Sequence, residues 1–120
     1  MGDYAKLEVW ERAHRLVLRV YKVSEHFPAS EKWGLVTQMR RAAVSIPSNI
    51  AEGCGRNGDA EMRRFLKIAL GSASELHYHL LLARDLEYLS PAHADEMMGE
   101  VGGIRGMLQA LCKRLLPAKG

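Results

Sequence analysis

Four stretches of the chain repeat apolar side chains every three or four residues, and no stretch sustains alternation every two. That rhythm asks for amphipathic helices and leaves no material for a sheet. In the first stretch Trp10, Ala13, Val17, Val20 and Ser24 keep the spacing of a buried seam. Val9, Leu16 and Val23 widen it, and Leu18 lies away from it. Glu8 and Glu11 fall in the first turn, where the helix dipole favours acids, and Phe27-Pro28 stops the helix. The second stretch has Ser30 as its expected N-cap and Leu35, Met39, Ala42, Ala43, Ile46 and Ile50 as its stripe, with Gly53 as a natural stop.

In the third, Asp59 is the expected N-cap. Met62, Phe65, Ile68, Ala69, Ser72, Leu76, Leu80, Ala83 and Leu86 point inward, and Gly71-Ser72 suggests a close helix contact. Ser90-Pro91 opens the fourth, which continues through Met97, Val101, Ile104, Leu108, Leu111 and Leu115. Gly99, Gly102, Gly103 and Gly106 either weaken this helix, by about 1 kcal/mol each, or permit close backbone packing. The expected helices span about 7–25, 31–53, 59–88 and 91–115. Short connections make neighbours antiparallel, so the 120 residues predict one domain, 1–120, folded as an all-α, up-down-up-down four-helix bundle.

Composition narrows the function classes. Hydrophobic residues make up 48% and charged residues 26%, which suits a soluble globular chain. Net charge is +3, compatible with an anionic partner. Cys54 and Cys112 make no disulfide framework, and neither a secretory leader nor a membrane-spanning run is visible. Gly2 is followed by Lys6 where a myristoylation signal needs Ser or Thr. The expectation is a cytoplasmic protein with reduced thiols and no membrane partner.

Pro47 lies inside the second helical stretch. Its ring crowds the Ala43 carbonyl and removes the amide that would bond it, at a cost of about 3 kcal/mol. Either the helix ends near Ile46 or it continues with a kink. Ile50 keeps the register of Ile46, which favours the kink. Beside the apolar stripe runs a second line of Arg41, Ser45, Ser48, Asn49 and Glu52. A solvated face usually carries long charged residues, whereas serine and asparagine are poor helix formers. The line reads either as surface or as a hydrogen-bonded interface, within the bundle or between subunits, with Glu75 as a partner for Arg41.

QMRRAAVSIPSNIAEG, residues 38–53, resembles the signature of small four-helix-bundle proteins encoded in intervening sequences of 23S rRNA genes. Val9-Trp10, the run Phe27, Pro28, Glu31, Gly34 and Leu35, and FLKIALGSASEL at 65–76 extend the resemblance to about Leu89. Arg40, Arg41, Ser45, Ser48, Asn49, Glu52 and Gly53 carry the pattern; the fourth helix matches poorly. The fold also resembles the accessory variability-determinant proteins of diversity-generating retroelements. The resemblance implies a ring-like homopentamer and, for the retroelement branch, binding of nucleic acid and a reverse transcriptase.

Other motifs dissolve on inspection. Gly53, Gly55 and Gly58 spell G-x-G-x-x-G, but a dinucleotide site needs a strand before that run, not a helix. Glu11 and His14 form one Glu-x-x-His where a di-iron bundle needs two. His77 and His79 point to different sides, and neither cysteine has a ligand at zinc spacing. No catalytic residue, metal or cofactor is expected. Arg12, Arg15, Arg19 and Lys22 form the best basic stripe, with His26 beyond, and Arg63, Arg64 and Lys67 cluster elsewhere. The expected function is a non-catalytic, homo-oligomeric scaffold touching RNA or DNA phosphate through that stripe, or binding a reverse-transcriptase-like protein. The alternative is a protein–protein interaction module without nucleic acid.

Overall fold

Each of the four apolar stripes becomes a helix. A computed structural model describes residues 2–118; Met1, Lys119 and Gly120, which the expected 1–120 domain includes, lie outside the described residues. A turn of 3₁₀ helix, Tyr4–Lys6, leads into α1, Glu8–Ser24. A second turn, Ala29–Glu31, precedes α2, Leu35–Cys54; then follow α3, Asp59–Asp85, and α4, Pro91–Arg114. No strand occurs among the described residues. Helices consecutive in the chain pack on one another and α4 returns to α1, closing a four-helix bundle of 53 × 21 × 21 Å.

The stripes predict the core well because a helix can bury only one side. Leu35, Met39, Ala42, Ala43, Ile46 and Ile50 of α2 are all buried, as are Met97, Val101, Ile104, Leu108 and Leu111 of α4. In α1 the seam is centred one residue earlier than expected. Val9 and Leu16 are buried while Trp10 and Val17 are half-buried, and Leu18 is exposed. In α3, Ile68 is exposed instead of inward, since it lies at the edge of the stripe, and Leu86, just past the end of the helix, is exposed as well.

The helix ends correct the sequence reading. Ser30 does not cap α2; it lies in the 3₁₀ turn, and α2 starts after Gly34. Glu31 takes over the capping, its Oε1 accepting the Leu35 N–H at 3.4 Å. Its Oε2 accepts the Tyr88 hydroxyl at 2.9 Å, which ties this end of α2 to the turn after α3. Asp59 is the first residue of α3 and not its cap. Gly58 caps it at φ 88°, a left-handed conformation that glycine adopts without strain. Gly53 is no stop either: α2 runs on to Cys54. It is buried because α3 comes close; a Cβ there would lie 2.7 Å from Met62 Sδ and 3.1 Å from Phe65 Cβ.

α2 continues through Pro47, which rules out an end near Ile46. α4 is likewise unbroken across its glycines. A different device ends α3. Glu87 sits at φ 64°, and the N–H groups of Glu87 and Tyr88 bond the carbonyls of Arg84 and Ala83 at 3.0 and 2.9 Å. This is a Schellman turn with glutamate where glycine is usual.

Candidate functional site

The serine and asparagine line turns out to be a bonded seam between α2 and α3. Ser45 and Ser72 face each other across it, hydroxyl to hydroxyl at 2.7 Å. The Asn49 side-chain amide donates to the Ser45 carbonyl at 2.8 Å and to its hydroxyl at 2.9 Å. Short side chains are needed because the two helices approach closely here. Ser72 makes the contact that Gly71-Ser72 promised; Gly71 itself faces open space.

The charged members of the line behave differently. Arg41 and Glu75 line one groove of about 370 Å³ together with Gln38, Ser45 and Ser72. They form no ion pair, contrary to expectation. Glu75 Oε2 lies 3.4 Å from His79 Nε2 instead, and Arg41 has no hydrogen-bond or ion-pair partner among the described residues. Glu52 holds Arg56 at 2.8 Å. Ser48 lies outside this groove. Three residues advance a helix by about 300°, which carries Ser48 past the seam into a groove with Trp10, His14, Val17 and Pro47.

His79 is a polar residue the sequence reading did not place in the interior. It is 5% exposed, and its Nδ1 has no partner. Burial lowers its pKa against the opposing pull of Glu75. Burial likewise raises the thiols of Cys54 and Cys112, away from the reactive thiolate.

The basic stripe on α1 is divided. Arg12 reaches across to α4, with Nη2 at 3.4 Å from Glu100 Oε2 and Nη1 at 3.4 Å from Met107 Sδ. It lies over Gly103, where a Cβ would come within 2.8 Å of its Nη2. Arg19 pairs with Glu96 at 3.2 Å. Arg15 and Lys22 are exposed and have no ion-pair partner among the described residues. Two of the four cations therefore bridge α1 to α4, and two face outward. Sequence spacing alone missed this because Glu100 and Glu96 sit 88 and 77 residues further along the chain than Arg12 and Arg19.

Other arginines also serve the fold. Arg40 donates through Nε to Ser24 Oγ at 2.9 Å and through Nη2 to the Tyr21 carbonyl at 3.2 Å, over the Tyr21 ring. Arg63 donates to the Leu115 carbonyl beyond the end of α4. Arg64 pairs with Glu61 at 2.8 Å. Among the described residues no three of His, Cys, Asp and Glu gather as a metal site. No helix there is long and apolar enough to cross a membrane.

What fold and grooves define is a small all-α bundle with several polar side chains, Arg12, Arg19, Arg40 and Ser45 among them, bonded across its helix seams. The chain belongs to the family described as 23S rRNA-intervening sequence protein, which matches residues 5–110. It is also similar to a crystal structure of a protein of unknown function from the S23 ribosomal protein family of Bacteroides thetaiotaomicron VPI-5482. The TM-score is 0.79 at 24% sequence identity, over 88% of this chain and 98% of that one. At that identity the likeness concerns the fold alone. No curated protein matches the sequence.

Proposed function

We propose that the protein is a non-catalytic cytoplasmic scaffold that assembles into a homo-oligomer, a pentamer by its resemblance, and binds nucleic-acid phosphate through α1. The supporting observation is the outward pair Arg15 and Lys22, left without acidic partners beside Arg19 and His26. In an assembly this small patch would repeat with each subunit, and counterion release would add with each phosphate contact. The rim of the α2–α3 groove, Arg41 and Glu75, is the proposed contact with a neighbouring copy, since both are exposed and form no pair with each other.

A retardation assay over a salt series on Arg15→Gln/Lys22→Gln tests the phosphate reading. Loss of two contacts should lower the slope of log affinity against log salt by about 1.4–1.8 units. Unchanged affinity and slope would overturn it. The second reading, a protein–protein interaction module, draws support from Arg12 and Arg19, half of the stripe, being engaged by Glu100 and Glu96. Light scattering on Arg41→Glu checks the assembly contact; an unaltered mass would remove that rim from the interface.

A further inference from the structure

At the end of the bundle where α1 runs out and α4 begins, a pocket of about 490 Å³ opens between the two helices and the turn after α3. Four basic side chains converge on it: Arg19, Lys22, His26 and His93. They come from α1, the loop after it and the first turn of α4, so no single helical face explains the cluster. Val23 and Leu89 give it apolar lining. Of the acids nearby, Glu96 is held by Arg19 at 3.2 Å and Glu31 by the Tyr88 hydroxyl at 2.9 Å; Glu25 and Glu87, exposed beside His26 and Tyr88, do not line the pocket.

The start of α4 adds little to the charge. Pro91 has no amide hydrogen, and the His93 N–H is given to Ser90 Oγ at 3.2 Å. The positive character is therefore a property of the side chains. The turn that brings Tyr88, Leu89 and Ser90 to the pocket is held by Glu87 in the left-handed region, at φ 64°, a conformation unfavourable to a non-glycine residue.

We propose that this pocket binds a terminal phosphomonoester, as carried by a mononucleotide or by the end of a nucleic-acid strand. The Lys22 ammonium, the Arg19 guanidinium shared with Glu96 at 3.2 Å, and two imidazole rings offer a terminal phosphate more donors than a backbone diester can use. The volume exceeds what inorganic phosphate needs and lies within the range of small-molecule sites. Val23 and Leu89 offer the rest of the ligand an apolar surface. Along α1, Arg15 and Arg19 lead towards Lys22 and His26, so a strand tracking the helix would end here. This last source rests on the nucleic-acid reading above; the mononucleotide does not.

The test titrates the full chain with adenosine monophosphate and adenosine, and with one oligonucleotide bearing either a phosphate or a hydroxyl at its 5′ end. The phosphorylated member of each pair should bind about tenfold tighter, the scale of one lost charge-assisted hydrogen bond. Lys22→Gln/His93→Gln should abolish both preferences. Both side chains are exposed, so its melting temperature should match the parent and exclude a folding defect. Phosphate preference with the monophosphate, but no oligonucleotide binding, would sustain the pocket and remove the nucleic-acid reading. Oligonucleotides that bind alike with either end, together with equal binding of the monophosphate and adenosine, would overturn the pocket and leave that reading standing. Preferences that survive in the double variant would also overturn it.

Discussion

The α2–α3 seam and the α1–α4 seam solve the same problem with opposite side chains. α2 and α3 make the most extensive contact in the bundle, and α1 and α4 the least of the neighbouring helix pairs. The first is bridged by a serine pair, with Asn49 of α2 bonded to its Ser45 and a buried glycine against α3; the second is bridged by arginine and glutamate, with a glycine under the guanidinium. Small polar groups permit close backbones and bond rigidly, whereas long charged ones span a wider gap and can move. A closely packed seam should therefore resist salt and punish added volume; a bridged one should do the reverse.

The sharpest contrast is between two glycines. Gly53→Ala puts a methyl against Met62 and the Phe65 Cβ, and should cost about 1–3 kcal/mol in urea unfolding. At Gly103 the obstacle is the far end of Arg12, which can swing aside, while alanine improves the helix by about 1 kcal/mol. Gly103→Ala should fall within about 1 kcal/mol of the parent. Equal losses at both positions would erase the distinction between the seams.

Acid should strike the α2–α3 side. Unfolded His79 takes up a proton near pH 6.5, whereas burial holds the folded imidazole to a lower value. Between those values the unfolded chain binds the extra proton, so this contribution to stability is intact above about pH 6.5 and falls as pH drops below it. The slope is at most about 1.4 kcal/mol per pH unit. His79→Leu should flatten it, read as the difference between parent and variant melting from neutral to mildly acid pH. A parent curve parallel to the variant's would show that the buried imidazole has no such effect.

Two double-mutant cycles complete the comparison. Ser45→Ala leaves the Ser72 hydroxyl and the Asn49 amide short of a partner, so coupling between Ser45 and Ser72 should be about 1 kcal/mol and insensitive to salt. Coupling between Arg12 and Glu100, both partly exposed, should be below about 1 kcal/mol and shrink with salt. Reversed salt responses would mean the seams were misassigned.

Away from both seams, Glu87→Gly should gain up to about 1 kcal/mol by relieving the left-handed turn. The same change gauges how rigidly that turn holds the floor of the basic pocket.

Which residues become helix, and which side of each helix is apolar, could be read from the chain before any coordinates. Helical periodicity is a property of one segment, and Pro47, Phe27-Pro28 and Ser90-Pro91 act within a few residues of themselves. Even there the limits showed, at Gly58 for Asp59 and at Gly34 for Ser30, because a cap depends on backbone angles that neighbouring residues share. The bonding role of Ser45 and Asn49 was half visible in their poor helix propensity. The pairing of Ser45 was not visible, since Ser72 lies twenty-seven residues on.

What the tertiary structure alone decided is where each charge is spent. In the first helix, Glu8 and Glu11 stand four residues before Arg12 and Arg15 and promised those two a partner, while Arg19 and Lys22 had none; instead Arg15 is unpaired among the described residues and Arg19 is held. Only the return of α4 placed Glu100 and Glu96 against two of them and left the other two open. Likewise His26 and His93, sixty-seven residues apart, share a pocket because the bundle closes there. Periodicity is local and is carried by composition and order; pairing depends on distance in space, which the chain acquires only when its apolar sides have met.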